Sequence, residues 1–208
     1  MTATGSAAAD DWVFDGGRLC LDFVNTLRDR KRTPRETLPD PAALARWLRR
    51  CGLLGADTEA DESDLAGARR LREAVDRCTR TVAADELPDA ADLVLVNAAA
   101  TAAPKPPTQA VIENGRLVPA TPSHSAADTA GALGLVAQDA VRLILAAEVR
   151  QVRICGAELC GLRYVDRSPA GNRRWCSMSR CGNRTKVRLH TERGRRASRA
   201  HEDRGDSL

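Results

Sequence analysis

Aromatic side chains are scarce in this chain, with two Phe, three Trp and one Tyr among 208 residues. Modules that hold RNA or single strands stack bases on rings, so this shortage counts against that class. There are three histidines, and with few acidic residues near the cysteines they do not make a hydrolytic metal site. No apolar run approaches the ~18 residues of a membrane span. The opening MTATGSAAADDW has no basic region followed by an apolar run, so a secretory signal is not expected. No phosphate-cradling glycine loop and no catalytic dyad can be found, so no enzyme is expected. The default is a soluble, cytoplasmic protein.

Cysteine and positive charge, by contrast, are concentrated. Of seven cysteines, four fall in two pairs, Cys155/Cys160 and Cys176/Cys181, each with four residues between its members. Such spacing lets a tight turn aim both thiols at one point, and two turns supply the four thiolates that tetrahedral Zn²⁺ prefers. With every position filled by protein, the one zinc would be structural rather than catalytic. An iron–sulfur cluster or another metal is the next reading, though two symmetric pairs fit zinc better. Disulfides are a third, suited to a small secreted domain. Cys20, Cys51 and Cys78 lie scattered in apolar segments and are expected to be small buried hydrophobes.

Around the four cysteines, Gly161–Asp166 reads as a strand and 168–172 as a turn, with Arg173–Cys176 returning as a second strand. Ser177 is placed to cap a helix over Met178–Ala197. A knuckle, a hairpin and a helix carrying the last ligand form a treble-clef-like arrangement. At 100° per residue, Arg180, Arg184, Arg188 and Arg195 share one narrow face of that helix, with Arg173, Arg174 and Lys186 nearby. Residues 150–200 hold 14 Lys/Arg and 3 Asp/Glu, a net of +11, whereas residues 1–149 carry −5. A solvated face normally mixes both signs, and this one does not. DNA is the expected partner, with these seven residues as its contacts. A protein–protein or RNA-binding zinc module is the alternative.

The run RRWCSMSRCGNRTKVR, preceded by Cys-x4-Cys and YVDRS, resembles the CGNR zinc finger, named after Cys181-Gly182-Asn183-Arg184. The likeness spans Val152–Arg196. It implies a treble-clef fold, zinc on Cys155, Cys160, Cys176 and Cys181, and a DNA-binding role in bacterial transcription regulators. It leaves open whether Arg184 contacts DNA or makes an internal hydrogen bond to the knuckle.

The remainder reads as a mixed domain. Val13-Phe14 suggests a strand and Gly16-Gly17 a turn, followed by a buried strand or helix from Leu19 to Leu27. Asp22 and Asn25 are polar groups in an apolar setting, and they need either structural hydrogen bonds or a bound ligand. RDRKRTPR at 28–35 reads as an exposed basic loop that could add phosphate contacts. Asp40-Pro41 opens a helix that stops at Gly52. Apolar steps of three and four from Leu65 to Val82 mark a second helix, and Pro88 or Asp89 opens a third that ends by Pro104. VIENGRLV, with Asn114-Gly115 at its centre, is a hairpin signal. Thr121–Ser125 reads as a loop with His124 exposed, and Asp128 caps a last apolar helix.

Phe14-x-x-Gly17-x-Leu19-Cys20-Leu21-Asp22-Phe23-Val24-Asn25-Thr26 is similar to the opening of the ABATE domain, and Trp47…Gly52-Leu53-Leu54 also fits. That family comprises proposed stress-induced transcription regulators whose N-terminal domain would sense a ligand. The expected fold class is α+β, a mixed helical domain with short strands over residues 12–149 followed by a finger over 150–197. Residues 1–11 and 198–208 are expected to be disordered tails. Asp22 and Asn25 are the candidates for contact with a small-molecule effector.

Overall fold

The computed structural model describes residues 11–105, 110–113, 115–119, 126–183, 185–187 and 191. Outside them lie the expected tails apart from Asp11, the 121–125 loop with His124, and Arg184, Arg188 and Arg195. Most of the expected C-terminal helix beyond Val187 also lies outside.

Among the described residues the architecture is α+β, with helices dominant and strands in short two-stranded pairs. In chain order come α1 (Leu19–Val24), β1 (Leu27–Arg28), β2 (Arg35–Glu36), α2 (Pro41–Arg50) and α3 (Glu62–Ala83). Then follow α4 (Ala90–Thr101), β3 (Ala110–Glu113), β4 (Arg116–Pro119) and α5 (Thr129–Leu145). A 3₁₀ turn over Ala147–Gln151 leads into β5 (Val152–Ile154), β6 (Arg163–Val165) and a turn of π-helix over Met178–Gly182. Strands pair antiparallel as β1–β2, β3–β4 and β5–β6. In the last pair Val152 faces Val165 and Ile154 faces Arg163.

Aspartate caps set the helix starts. Asp40, Asp61, Asp89 and Asp128 each accept a backbone N–H from the first turn of α2, α3, α4 and α5, satisfying groups that have no partner within the helix. Asp61 and Asp64 form a reciprocal capping box. The core gathers round α1, whose Cys20, Leu21, Phe23 and Val24 are fully buried among Trp47, Leu71, Val75, Val136 and Leu143. Trp47 stacks on Phe14 on one side and meets Phe23 on the other, with ring centroids 6.5 and 5.3 Å away. Gly134 lets α5 approach the end of α4, since a Cβ there would lie 2.4 Å from the Ala103 nitrogen.

Val13 and Phe14 do not form the expected strand. The segment crosses to the finger: Val13 packs with Leu162, Tyr164 and the four cysteines, and Gly16 O accepts from Val165 N–H at 2.9 Å. In the opposite direction, Val149, Val152 and Val165 belong to the core built around α1.

The hairpin of the finger also differs from expectation. Gly161–Asp166 does contain a strand, but its partner is β5 rather than Arg173–Cys176. The latter stretch gives one backbone bond, Gly156 N–H to Arg174 O at 2.7 Å. Cys155 at the end of β5 and Cys160 in the turn therefore flank the knuckle within one hairpin.

Candidate metal centre and basic surface

The four cysteines converge from two directions. Cys155 N–H bonds Leu162 O at 2.8 Å and Cys160 N–H bonds Ala157 O at 3.3 Å, which curls the first pair into a knuckle. Cys176 precedes the π turn, and Cys181 lies within it. The Ser177 carbonyl accepts from both Cys181 and Gly182 at 3.0 Å. The Ser177 hydroxyl does not cap this turn, because it is hydrogen-bonded to the Ser179 hydroxyl at 2.7 Å.

All four sulfurs lie within 4.8 Å of one another, and all four residues are buried. Cys160 Sγ is 3.8 Å from Cys176 Sγ, which is 3.6 Å from Cys181 Sγ. A tetrahedron with Zn–S bonds of ~2.3 Å has edges of about 3.8 Å. Hydrogen bonds from Cys160 and Cys176 pull the Cys155 thiol far below its usual range. Bonds with Cys155 and then Cys160 push Cys176 well above its range, and Cys160 rises to about 12, chiefly through Cys155. Four clustered thiols cannot all ionise unaided, and a dication would hold all four as thiolates. Backbone support points the same way, with Cys176 N–H donating to Cys155 Sγ at 3.4 Å. The donor set fits one structural Zn²⁺.

Tyr164 and Arg173 brace this centre. The Tyr164 hydroxyl donates to Arg173 O, and the Arg173 guanidinium lies over the Tyr164 ring, 4.6 Å from its centroid. Arg173 also donates to Trp175 O at 2.7 Å and to Cys176 O. Asp166 closes the loop by accepting from Ser168 N–H, Ser168 Oγ and Arg173 N–H. Those bonds, the Ser168 hydroxyl first, hold the Asp166 carboxyl below the usual range.

The candidate DNA residues fall into groups. Arg173 is engaged with the Tyr164 ring and the Trp175 and Cys176 carbonyls. Arg180 forms an ion pair with Asp15 of the N-terminal segment. Arg174 lies exposed with its guanidinium 5.4 Å from the Trp175 ring centroid, and Lys186 is exposed one turn past Cys181. Arg184, Arg188 and Arg195 are outside the described residues.

Asp22 and Asn25, both on or just after α1, diverge. Asn25 is buried and makes two bonds with the backbone of Arg163, its Nδ2 donating to the carbonyl at 2.9 Å and its Oδ1 accepting from the N–H at 2.8 Å. Asp22 accepts from Gly16 N–H at 2.8 Å and borders an open groove with Phe14, Gly17, Arg18, Arg50 and Cys51. Burial, helped by the charges of Asp15 and Asp139, raises its carboxyl to about 7.

Several residues that hold the finger in place were not singled out from sequence. Arg163 Nε and Nη2 donate to Asp76 Oδ1 and Oδ2 of α3 at 2.7 and 2.9 Å. Lys31 reaches the knuckle and donates to Cys155 O at 2.5 Å. The 28–35 loop is exposed over residues 31–35, as expected, yet several of its cations are paired: Arg30 with Glu73, and Arg28 and Arg35 with Asp11. A signal existed for Asp76, because Arg72, Asp76 and Thr79 interrupt the buried face of α3 at helical steps.

Fold and cysteine cluster together define a zinc-finger protein with an α+β N-terminal part. Residues 17–147 match the ABATE family, described as putative stress-induced transcription regulator, and residues 151–194 match the CGNR zinc finger. The chain belongs to the ABATE family. Both matched families are of regulator or zinc-finger type and not enzymes. No curated protein matches the chain. Among the described residues no helix is long and apolar enough to cross a membrane.

Proposed function

We propose that the protein regulates transcription by binding duplex DNA through residues 150–197, with zinc holding the binding surface in shape. The observation that carries this reading is the net charge of +11 over residues 150–200, attached to a module whose own core is one small cysteine-centred cluster. Lys and Arg concentrated on a rigid support neutralise phosphates and release counterions. Among the described residues Arg173, Arg174 and Lys186 are the exposed members of the set, and Arg184, Arg188 and Arg195 extend it along the sequence. Arg173 acts by positioning, since its guanidinium is engaged within the finger. No catalytic step enters this reading, and the protein would act in the cytoplasm.

Residues 12–149 supply regulation in the same reading. The groove beside Asp22, about 540 Å³ and open to solvent, is where a small effector would sit. Asn25 lies one helical turn from Asp22 and is bonded to the Arg163 backbone. Movement of α1 would therefore reach the finger through two hydrogen bonds.

The test is a titration of zinc-loaded protein against duplex DNA, RNA and heparin at two salt concentrations. Duplex binding should weaken with salt by about 0.9 log unit per log unit for each phosphate contacted. Arg174→Ala combined with Lys186→Ala should flatten that slope without releasing zinc. Equal affinity for heparin and duplex would reduce the reading to general polyanion binding, and preference for RNA would replace it.

A further inference from the structure

A surface helix normally shows charge on its outer face. α4 does not. Its sequence AADLVLVNAAAT is apolar on every side, yet Val96 is its one buried residue. Ala90, Val94, Ala98 and Thr101, at steps of four, four and three, form an exposed stripe with Leu87 just ahead of it. Leu87 is 92 % exposed and Val94 67 %, and Leu145 at the end of α5 is 81 % exposed. The helix's one charged residue, Asp92, is turned aside onto Arg77, with bonds of 2.6 and 2.7 Å.

α5 runs antiparallel beside α4. Gly134 abuts Ala102 and Ala103, while Gln138, Val141 and Arg142 share an open groove with Asn97, Ala100 and Lys105. The same register carries Leu145 toward the N-terminal half of α4, where it extends the apolar face. Among the described residues nothing covers this face.

We propose that the α4 face binds the same face of a second copy of this chain, the two α4 helices antiparallel about a two-fold axis at Val94. Three features select that occupant. The stripe is symmetric about Val94: Ala90 and Ala98 lie four residues to either side, so Ala90 of one copy opposes Ala98 of the other, and small residues permit close approach. The ends carry opposite charge, with Glu86 and Asp89 ahead of α4, where Asp85 is already paired with Arg150, and exposed Lys105 beyond its far end. Antiparallel pairing sets each acidic end against a basic one, twice per dimer, and aligns the helix dipoles favourably.

The experiment is sedimentation equilibrium of the zinc-loaded full chain across a micromolar dilution series. A dimer that dissociates on dilution is expected. Val94→Asp, at an exposed position, should give monomer throughout with unchanged helical content and zinc stoichiometry. Glu86→Arg and Lys105→Glu should each raise the dimer dissociation constant about tenfold, and the two together should restore it. A wild-type monomer at the highest concentration would overturn the proposal. So would a dimer indifferent to all three changes, which would point to a different face. If Val94→Asp fails to fold, the charge reversals decide, since both lie on exposed side chains.

Discussion

Asp76 and Arg163, 87 residues apart in sequence, meet in a two-point ion pair at 2.7 and 2.9 Å, with both side chains buried. The pair does not stand alone. Arg80 lies 3.3 Å and Arg30 3.8 Å from the same carboxylate, and the remaining Arg163 donor bonds Gly161 O. One carboxylate thus joins α3, the 28–35 loop and the finger hairpin.

Removing it should be costly, because a buried guanidinium would lose its counter-charge. Asp76→Asn is expected to lower the unfolding free energy by about 3–5 kcal/mol. Urea titration followed by circular dichroism measures this. A loss below ~0.5 kcal/mol would show that water or Glu73 takes over the role of the carboxylate.

Zinc should be bound at one ion per chain and lost in Cys176→Ser. Cys155 and Cys176 sit at the centre of the cluster that includes Val13, Leu162 and Tyr164. Metal loss should therefore expose Tyr164 and Trp175 to solvent while leaving the α2–α5 helical signal largely intact. Tryptophan fluorescence, circular dichroism and elemental analysis on the same sample separate the two effects. Intact fluorescence after complete chelation would argue against a metal-organised core.

Asp15 should restrain DNA binding by neutralising Arg180. The pair is partly exposed, so its worth is at most about 1 kcal/mol. Asp15→Asn is expected to tighten duplex binding up to roughly fivefold and to steepen the salt dependence by about one phosphate contact. Arg180→Ala should cancel both effects. If Asp15→Asn leaves affinity unchanged while the Arg174/Lys186 variant weakens it, Arg180 is purely a tie between the finger and the N-terminal segment.

Asp22 should make stability depend on pH. Burial raises its folded carboxyl to about 7, well above the ordinary aspartate value of about 3.8. Between those values the folded protein holds a proton that the unfolded chain has released, so stability falls as pH rises and levels off above 7. Asp22→Asn keeps an acceptor for Gly16 N–H and removes the titration. The variant should exceed the wild type at pH 8 by up to roughly 2 kcal/mol, discounted for the part of the carboxyl that meets water. That advantage should vanish near pH 4. Parallel stability curves for the two proteins would contradict it.

The helices and the metal site were legible because their signals are local. Asp40, Asp89 and Asp128 each stand immediately before an apolar-periodic run, and the four cysteines come in pairs. The strand partner of Arg163–Val165 was missed because Val152–Ile154 is three residues long, too short for periodicity, while the turn residues at 168–172 offered a nearer hairpin. The basic loop is exposed over residues 31–35, as its composition suggests, but charge alone cannot reveal that Lys31 donates to Cys155 O. The partner of Asn25 lies 138 residues away, beyond the reach of any local pattern.

The interleaving of the two parts bears on how the chain is made. Val13 leaves the ribosome about 150 residues ahead of its packing partners Leu162 and Tyr164. The core around α1 likewise waits for Val152 and Val165 before it is closed. During synthesis the N-terminal helices can gather, but that core stays incomplete until the finger hairpin has emerged. Zinc availability then governs the final step of maturation, and a nascent chain starved of zinc would present an unfinished core to chaperones and proteases.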